Sequence, residues 1–225
     1  MKILAIDSSG LVASAALVED EILKAEYSVN NRLTHSQTLM VMVDEVMRMA
    51  EWKMTDLDLV AAAMGPGSFT GLRIGVGAAK GFAHALNLPV APVSTLDAMA
   101  YGVFGYSGVI CPMLDARRSQ VYTGLYSFSD DASLQVLKEP CAVPIEEIAE
   151  EINRLGRRVM LTGDGVPVYR EALLELIKTD IVIAPAHVNR QRAGAVGALA
   201  CRMAAEGKLV SAAEFVPEYL RKFKT

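Results

Sequence analysis

The fold of this chain is indicated by the stretch KILAID at Lys2–Asp7, in which a short apolar run ends in an acid. The stretch VICPMLD at Val109–Asp115 has the same character and also ends in an acid. Apolar runs of this length, bounded by polar residues, are typical of buried β-strands. The two stretches predict a chain of two halves, each of which opens on a buried strand.

Working outward from each stretch, the same kinds of element follow in the same order. In the first half we predict strands at 12–18 and 21–29, a helix at 36–51, a strand at 58–64, a helix at 70–86 and a strand at 90–93. In the second half we predict strands at 120–127 and 134–138, a helix from Pro144, a strand at 158–162 and helices at 168–177 and 193–206. Three strands joined by short turns predict an antiparallel meander at the start of each half.

This repeated order predicts an α/β protein of two duplicated lobes, each a mixed five-stranded sheet with helices. It is the layout of the actin-like, ribonuclease H-like superfamily that includes hexokinase and the heat-shock ATPases. We place the lobes at residues 1–104 and 105–225, with the joint near the glycine-rich segment 102–108. We expect Asp7 and Asp115 to face each other across a cleft.

The composition predicts a globular protein, because 52% of the 225 residues are hydrophobic and 21% are charged. The net charge of −4 disfavours a protein that binds nucleic acid unaided. Three scattered cysteines suggest a reduced, intracellular chain. The first apolar run is too short for a signal peptide, and no run is long enough to span a membrane. We therefore expect a cytoplasmic protein with no membrane contact.

A glycine-rich string, GPGSFTGLRIG at Gly65–Gly75, lies between a predicted strand and a predicted helix. It is not a P-loop, because no Lys-Ser or Lys-Thr pair follows Gly71, and Thr70 replaces the third glycine of a dinucleotide fingerprint. The string is either an anion site at a helix N-terminus or a tight turn capped by Ser68 or Thr70.

The candidate nucleotide-binding residues lie at the ends of the predicted strands. In the superfamily the first hairpin of each lobe contacts phosphates, and the two acids organise Mg²⁺. The second hairpin, at 116–119, contains no glycine, so we predict a degenerate site rather than an active one. The turn at 163–165 takes the place of the superfamily's adenosine loop, or is simply a turn. The candidates are Asp7, Ser8, Ser9, Asp115, Gly163, Asp164 and Gly165.

Metal and hydrolase chemistry are both disfavoured. His35, His84 and His187 show no metal-ligand spacing, and the cysteines form no Cys-x₂-Cys pair. The nearest nucleophile turn, at 65–69, lacks its final glycine. We therefore expect no bound metal and no hydrolytic triad in this chain, and we assign no catalytic residue.

The two long helices carry wider apolar arcs than one sheet should cover. A neighbouring helix of the same lobe would cover them, and so would a partner chain. Small residues allow close approach of another helix, and methionines adapt to different partners. We predict a homodimer through this surface, and the predicted interface residues are Leu39, Met42, Val43, Val46, Met49, Gly71, Arg73, Gly75, Ala78, Ala79 and Phe82.

Four segments together resemble the TsaB (YeaZ) family. They are the strand and turn at 3–9, the glycine-rich string at 65–75, the Leu-Asp-Ala-Arg-Arg segment at 114–118 and the Pro-Glu-Tyr-Leu-Arg segment at 217–221. The resemblance spans essentially the whole chain, and the glycine-rich string is highly specific to this group.

The resemblance implies an accessory role in making N6-threonylcarbamoyladenosine (t6A) beside the tRNA anticodon. Such proteins pair with a metal-holding, catalytic TsaD-type paralogue and work with a TsaE-type ATPase. TsaD-type relatives carry a His-x₃-His motif, whereas this chain has His35 alone in that region. The resemblance thus implies a non-catalytic subunit that meets tRNA only through the complex. It implies no tightly bound cofactor, with ATP or ADP possible at the level of the complex.

Two other functions stay open. One is a stand-alone ATPase or small-molecule kinase that uses Asp7 and Asp115. The other, less favoured, is a glycoprotease-like peptidase, for which the sequence offers neither a metal motif nor a nucleophile turn.

Overall fold

The computed structural model describes residues 1–31 and 33–221. Its strands and helices follow one another largely in the predicted order. The first elements are β1 (Lys2–Asp7), β2 (Ala13–Glu19), β3 (Ile22–Val29), α1 (His35–Met49), a 3₁₀ turn (Met54–Asp56), β4 (Leu59–Gly65), α2 (Phe69–Leu86), β5 (Val90–Ser94) and α3 (Thr95–Tyr101). They are followed by β6 (Val109–Asp115), β7 (Gln120–Phe128), β8 (Leu134–Pro144), α4 (Ile145–Leu155), β9 (Val159–Thr162), α5 (Gly165–Val168), α6 (Arg170–Leu176), β10 (Ile181–Ile183) and α7 (Ala193–Ala205).

The strands form two five-stranded sheets with the same topology. The first sheet has the order β3-β2-β1-β4-β5, and the second has the equivalent order β8-β7-β6-β9-β10. In each sheet the first strand pairs antiparallel with the second and parallel with the fourth. The duplicated, mixed sheets predicted from the repeated order of elements are therefore confirmed.

Both faces of the first sheet are covered by helices. One face packs against α1 and α2 in a core that includes Leu4, Leu17 and Val46. The other face packs against α7 in a core that includes Ile3, Val18 and Val196. Because β1 and β4 are buried on both faces, their sequences read as continuous apolar runs rather than as alternating patterns.

Helix α7 is anchored to the first sheet at its N-terminus. The backbone N–H of Ala193 donates to Ser14 Oγ at 2.9 Å, and that of Gly194 donates to Glu26 Oε1 at 2.9 Å. Arg192 forms an ion pair with the same Glu26 carboxylate. These bonds satisfy N–H groups that a helix cannot pair internally, and they join residues far apart along the chain.

The chain divides into two compact units that differ from the predicted lobes. One unit comprises Met1–Ala98 and Gln191–Glu218, and the other comprises Met99–Arg190 and the described residues that follow Glu218. The prediction assigned all of 105–225 to one lobe. The structure instead groups 191–218 with the first unit, because α7 packs on the first sheet.

Two predicted elements differ markedly from the structure, and one strand, β10, was not predicted. Strand β8 continues to Pro144 rather than ending at residue 138, and it is an edge strand, where proline is tolerated. The helix predicted at 168–177 is two short helices that meet at Tyr169. Strand β10 is only three residues long, too short to show a period, and its position was not predicted.

Candidate functional site

The first candidate site is the turn that follows β1. Asp7 is only 1% exposed, and its Oδ1 atom accepts hydrogen bonds from the Ser9 backbone N–H at 2.9 Å and the Ser9 hydroxyl at 2.6 Å. The other carboxylate oxygen, Oδ2, is buried and has no hydrogen-bond partner in the described part of the chain. The turn thus holds an acid with one free, enclosed oxygen.

The surroundings of Asp7 shift the pKa of its carboxyl group. Burial raises the pKa of Asp7 to about 6, and the hydrogen bonds from Ser9 and the nearby His35 oppose that rise only partly. The His35 Nε2 atom lies 2.8 Å from the Gly10 carbonyl oxygen. A carbonyl only accepts, so Nε2 carries the proton in this contact.

The glycine-rich string packs against this turn. A Cβ atom added to Gly67 would lie 2.2 Å from the Ser9 carbonyl oxygen, and one added to Gly71 would lie 2.2 Å from the Ser8 carbonyl oxygen. One added to Gly75 would lie 2.3 Å from Ser8 Oγ. Gly67 and Gly71 are therefore required by close approach of the backbone of the first turn, whereas at Gly75 an added methyl group would displace the Ser8 hydroxyl.

The N-terminus of α2 is capped by the protein itself. The Ser68 side chain accepts from the Gly71 N–H at 3.2 Å, and the Ser68 N–H donates to the Ser9 carbonyl at 2.7 Å. Of the two alternatives left by the sequence, the structure therefore favours the tight turn capped by Ser68. The string positions the first turn rather than offering a free cradle for an anion.

The second candidate site, after β6, differs from the first because both oxygens of its acid have partners. Asp115 Oδ1 accepts from the Arg117 N–H at 2.8 Å and from the Tyr169 hydroxyl at 2.8 Å. The Arg117 guanidinium lies 3.3 Å from Asp115 Oδ2. Residues Arg117, Arg118 and Ser119 all have positive φ angles, of 63°, 55° and 55°, so this hairpin turns tightly in the left-handed region.

The turn at 163–165 joins the second site. Asp164 Oδ1 accepts from the Asp115 N–H at 3.0 Å. Gly163 has a φ of +109°, and a Cβ atom added to it would lie 2.2 Å from the Met113 carbonyl oxygen. The structure thus brings together two of the predicted segments, and the close packing of Gly163 on β6 explains its glycine without a ligand.

Tyr169 is a site residue that sequence reasoning missed. It lies between α5 and α6, and its hydroxyl reaches Asp115 across 54 positions of sequence. No local motif marks it. Because Asp7 and Asp115 belong to different compact units, their predicted juxtaposition across a cleft stays a prediction.

Most of the predicted interface residues lie in the core of the first unit. Leu39, Met42, Val43 and Val46 are at most 3% exposed, because this side of α1 packs on the sheet. Buried too are Gly71, Gly75 and Ala79. The packing of the unit covers most of the surface of these seven residues, although Val46 also lines a groove between α1 and β3. Of the predicted set, Met49 and Arg73 are exposed, and Ala78 and Phe82 are partly exposed.

The exposed side of α1 nevertheless carries apolar side chains. Val41 is 65% exposed and Met49 is 64% exposed. They line a groove of about 410 Å³ together with Glu45 and Val46 of α1 and with Ala25 and Tyr27 of β3. Helix α1 thus buries most of its apolar arc in the unit and leaves some apolar side chains exposed beside β3, and the partner contact predicted for this helix stays a prediction.

Two further observations concern the described residues alone. No three His, Cys, Asp or Glu side chains are close enough together there to hold a metal ion. None of the helices described has the length and apolar character needed to cross a bilayer.

Comparisons with known proteins identify the family. The model of the TsaD family, described as tRNA N6-adenosine threonylcarbamoyltransferase, matches residues 30–225. The tRNA threonylcarbamoyladenosine biosynthesis protein TsaB of Bacillus subtilis is 33% identical over 98% of this chain and 94% of its own length. The protein of the same name from Escherichia coli is 31% identical over 98% and 95%.

A solved structure agrees with these sequence matches. YeaZ from Pseudomonas aeruginosa superposes with a TM-score of 0.83 and 27% identity, over 97% of this chain and 99% of its own. The likeness thus extends along nearly the full length of each relative in both sequence and fold. The chain belongs to the TsaD family in its broad sense and, within that family, to the TsaB (YeaZ) group.

Proposed function

We propose that this chain acts in tRNA threonylcarbamoyladenosine biosynthesis as the non-catalytic partner of a TsaD-type subunit. Membership of the TsaB group supports the pathway, since two relatives that match nearly the whole chain are named for it. The TsaD-type subunit would hold the catalytic metal and transfer the threonylcarbamoyl group. With a net charge of −4, this chain meets tRNA through the complex rather than alone.

The state of Asp115 is the observation that carries the non-catalytic role. Mg²⁺ bound to a nucleotide is held by one or two carboxylates together with the phosphates. Here the Asp115 carboxylate already accepts from Arg117 and Tyr169. A metal would have to displace a cation and a hydroxyl that the same unit supplies, which disfavours phosphoryl transfer at this acid.

The exposed sides of α1 and α2 have features that are typical of a partner-binding surface. Val41, Met49 and Tyr27 present an apolar groove. On α2, Gly77 and Gly81 are exposed and have no atom within 4 Å of an added Cβ, so packing within the described residues does not explain them. Glycine inside a helix costs about 0.5–1 kcal/mol relative to alanine. Close approach of a partner helix would explain why α2 keeps these two exposed glycines.

The partners of this surface follow from the family. The same surface would form the homodimer when the chain is alone and the heterodimer when the TsaD-type subunit is present, so the two complexes would compete. The TsaE-type ATPase would join the heterodimer, and ATP or ADP would act at the level of that complex.

The test is reconstitution with charge variants on the exposed side of α1. Val41→Glu and Met49→Glu place an unpaired charge in the groove, where desolvation costs several kcal/mol if a partner covers it. Both variants should keep the circular dichroism spectrum and melting temperature of the parent, yet lose the TsaD-type partner in sedimentation velocity and lose t6A formation on tRNA. Leu174→Glu, at an exposed leucine on α6, is the control and should keep both properties. A folded Val41→Glu, Met49→Glu double variant that still binds its partner would exclude this surface.

A stand-alone ATPase is the second candidate, and Asp7 favours it. Its buried, unpartnered oxygen and raised pKa are properties shared with catalytic acids. Turnover of Mg-ATP by the chain alone, abolished in Asp7→Asn, would support this activity. The absence of turnover by the chain alone, with t6A formation intact in the complex, would support the partner role.

A further inference from the structure

A small cavity in the second compact unit is lined by none of the residues of the partner surface proposed above. It lies where the parallel strands β9 and β10 end, and its volume is about 120 Å³. The lining residues are Leu161, Thr162, Gly163, Val166, Pro167, Arg170, Ile183, Asn189 and Arg190. The carboxyl ends of parallel strands are the usual place for ligands in open α/β sheets.

The charge of the cavity lining is entirely positive. Arg170 and Arg190 both contribute to it, and it contains no aspartate or glutamate. Neither arginine has an ion-pair partner among residues 1–31 and 33–221. Two arginines in the lining of one small cavity make it a favourable place for an anion.

Arg190 is held in place but keeps a donor free. Its Nη1 atom donates to the Asn189 carbonyl at 2.8 Å and, more weakly, to the Gly163 carbonyl at 3.4 Å. Its Nε atom is buried and has no hydrogen-bond partner in the described residues. A buried donor without an acceptor is costly, so a bound acceptor would remove a real penalty.

The size of the cavity selects the ligand class. Pockets for drug-sized or nucleoside-sized ligands usually measure about 300–1,000 Å³, whereas this cavity measures about 120 Å³. That space fits an oxyanion with a short apolar body rather than a whole nucleoside. The apolar wall formed by Val166, Pro167 and Ile183 suits such a body.

We propose that this cavity binds a small oxyanion, the carboxylate or phosphate group of a compact metabolite, between Arg170 and Arg190. Arginine suits this role because its planar, charged fork matches the oxygens of both groups. Arg190, fixed by the two carbonyls, orients the anion, and the exposed Arg170 closes the site.

The test is binding of inorganic phosphate and of acetate to the full chain, measured by amide chemical shifts at constant ionic strength. We expect saturable shifts at Gly163, Val166 and Asn189 with at least one of the two anions, and the anion that binds more tightly identifies the phosphate or carboxylate source. Arg170→Gln should weaken that binding about tenfold. Arg157→Gln, at an exposed arginine outside the cavity, should leave it unchanged.

Three results would overturn the proposal. One is the absence of saturable shifts with either anion. Another is equal binding by the parent and the folded Arg170→Gln variant. The third is adenosine displacing the anion from both proteins alike, which would make the cavity part of a nucleoside site. None of these results depends on partner binding, so failure here leaves the proposed function intact.

Discussion

The Asp7 carboxyl is enclosed by the protein at the end of β1, and only one of its oxygens receives hydrogen bonds. Asp115, at the matching position after β6, has both oxygens engaged. Both acids could be predicted from sequence, because each ends an apolar run. The difference between them could not, since it depends on Tyr169 and on burial, neither of which leaves a local pattern.

Asp7→Asn should change how stability depends on pH. Burial raises the pKa of Asp7 from 3.8 to about 6, so the folded state prefers the neutral acid. The parent's free energy of unfolding should therefore fall as pH rises from about 4 to 6 and then level off, a loss of about 3 kcal/mol. An asparagine side chain does not ionise, so the variant should lack this fall. Urea unfolding at a series of pH values measures both curves.

An exposed acid provides the control for that measurement. Asp44→Asn on α1 should leave the parent's pH profile unchanged in shape. Curves for the parent and Asp7→Asn that run parallel between pH 4 and 7 would show that Asp7 ionises in the folded state as readily as in the unfolded one.

At the scale of the element, α2 shows what a sequence pattern predicts and what it leaves open. Its bounds could be predicted to within a residue, because the glycine string and Ser68 mark its start and the apolar run marks its length. The sequence could not predict which of these glycines pack against the rest of the unit and which are exposed. Gly71 and Gly75 pack on the turn after β1, and Gly77 and Gly81 do not.

Alanine substitutions at two neighbouring glycines of α2 should have opposite effects. Gly75→Ala places a methyl group 2.3 Å from Ser8 Oγ and should lower the free energy of unfolding by about 1–3 kcal/mol. Gly77→Ala meets no atom within 4 Å and should raise it by about 0.5–1 kcal/mol. Urea unfolding of the isolated variants measures both changes.

The affinity of the Gly77→Ala variant for the TsaD-type partner adds a second measurement. A more stable chain that binds its partner more weakly would place Gly77 at the contact. Unchanged affinity would mean that no partner helix approaches closely there.

At the scale of the whole molecule, the duplication could be predicted from the order of elements, but the division of the chain could not. Helix α7 follows the second set of strands in sequence, and nothing in its apolar composition shows which sheet it covers. The bonds from Ser14 and Glu26 to its first turn decide this, and they join positions 179 and 168 residues apart.

A fragment of residues 1–104 should not fold as an independent lobe. Without α7 it leaves one face of the first sheet bare, including Ile3, Val18 and Leu59, which are at most 2% exposed in the whole chain. We expect aggregation or a broad, non-cooperative melt. Fusing residues 191–218 to the fragment through a flexible linker should restore a cooperative transition. A sharp melt of 1–104 alone would contradict the division seen in the structure.

The interleaving of the two units also affects how the protein is made in the cell. A ribosome adds about 5–20 residues per second, so α7 emerges on the order of ten seconds after β5. During that interval the nascent first sheet has one uncovered apolar face, while the residues of the second unit are still being translated. Chaperones that bind exposed apolar segments on the ribosome would have this face as a target, and α7 would displace them only after the second unit has been translated.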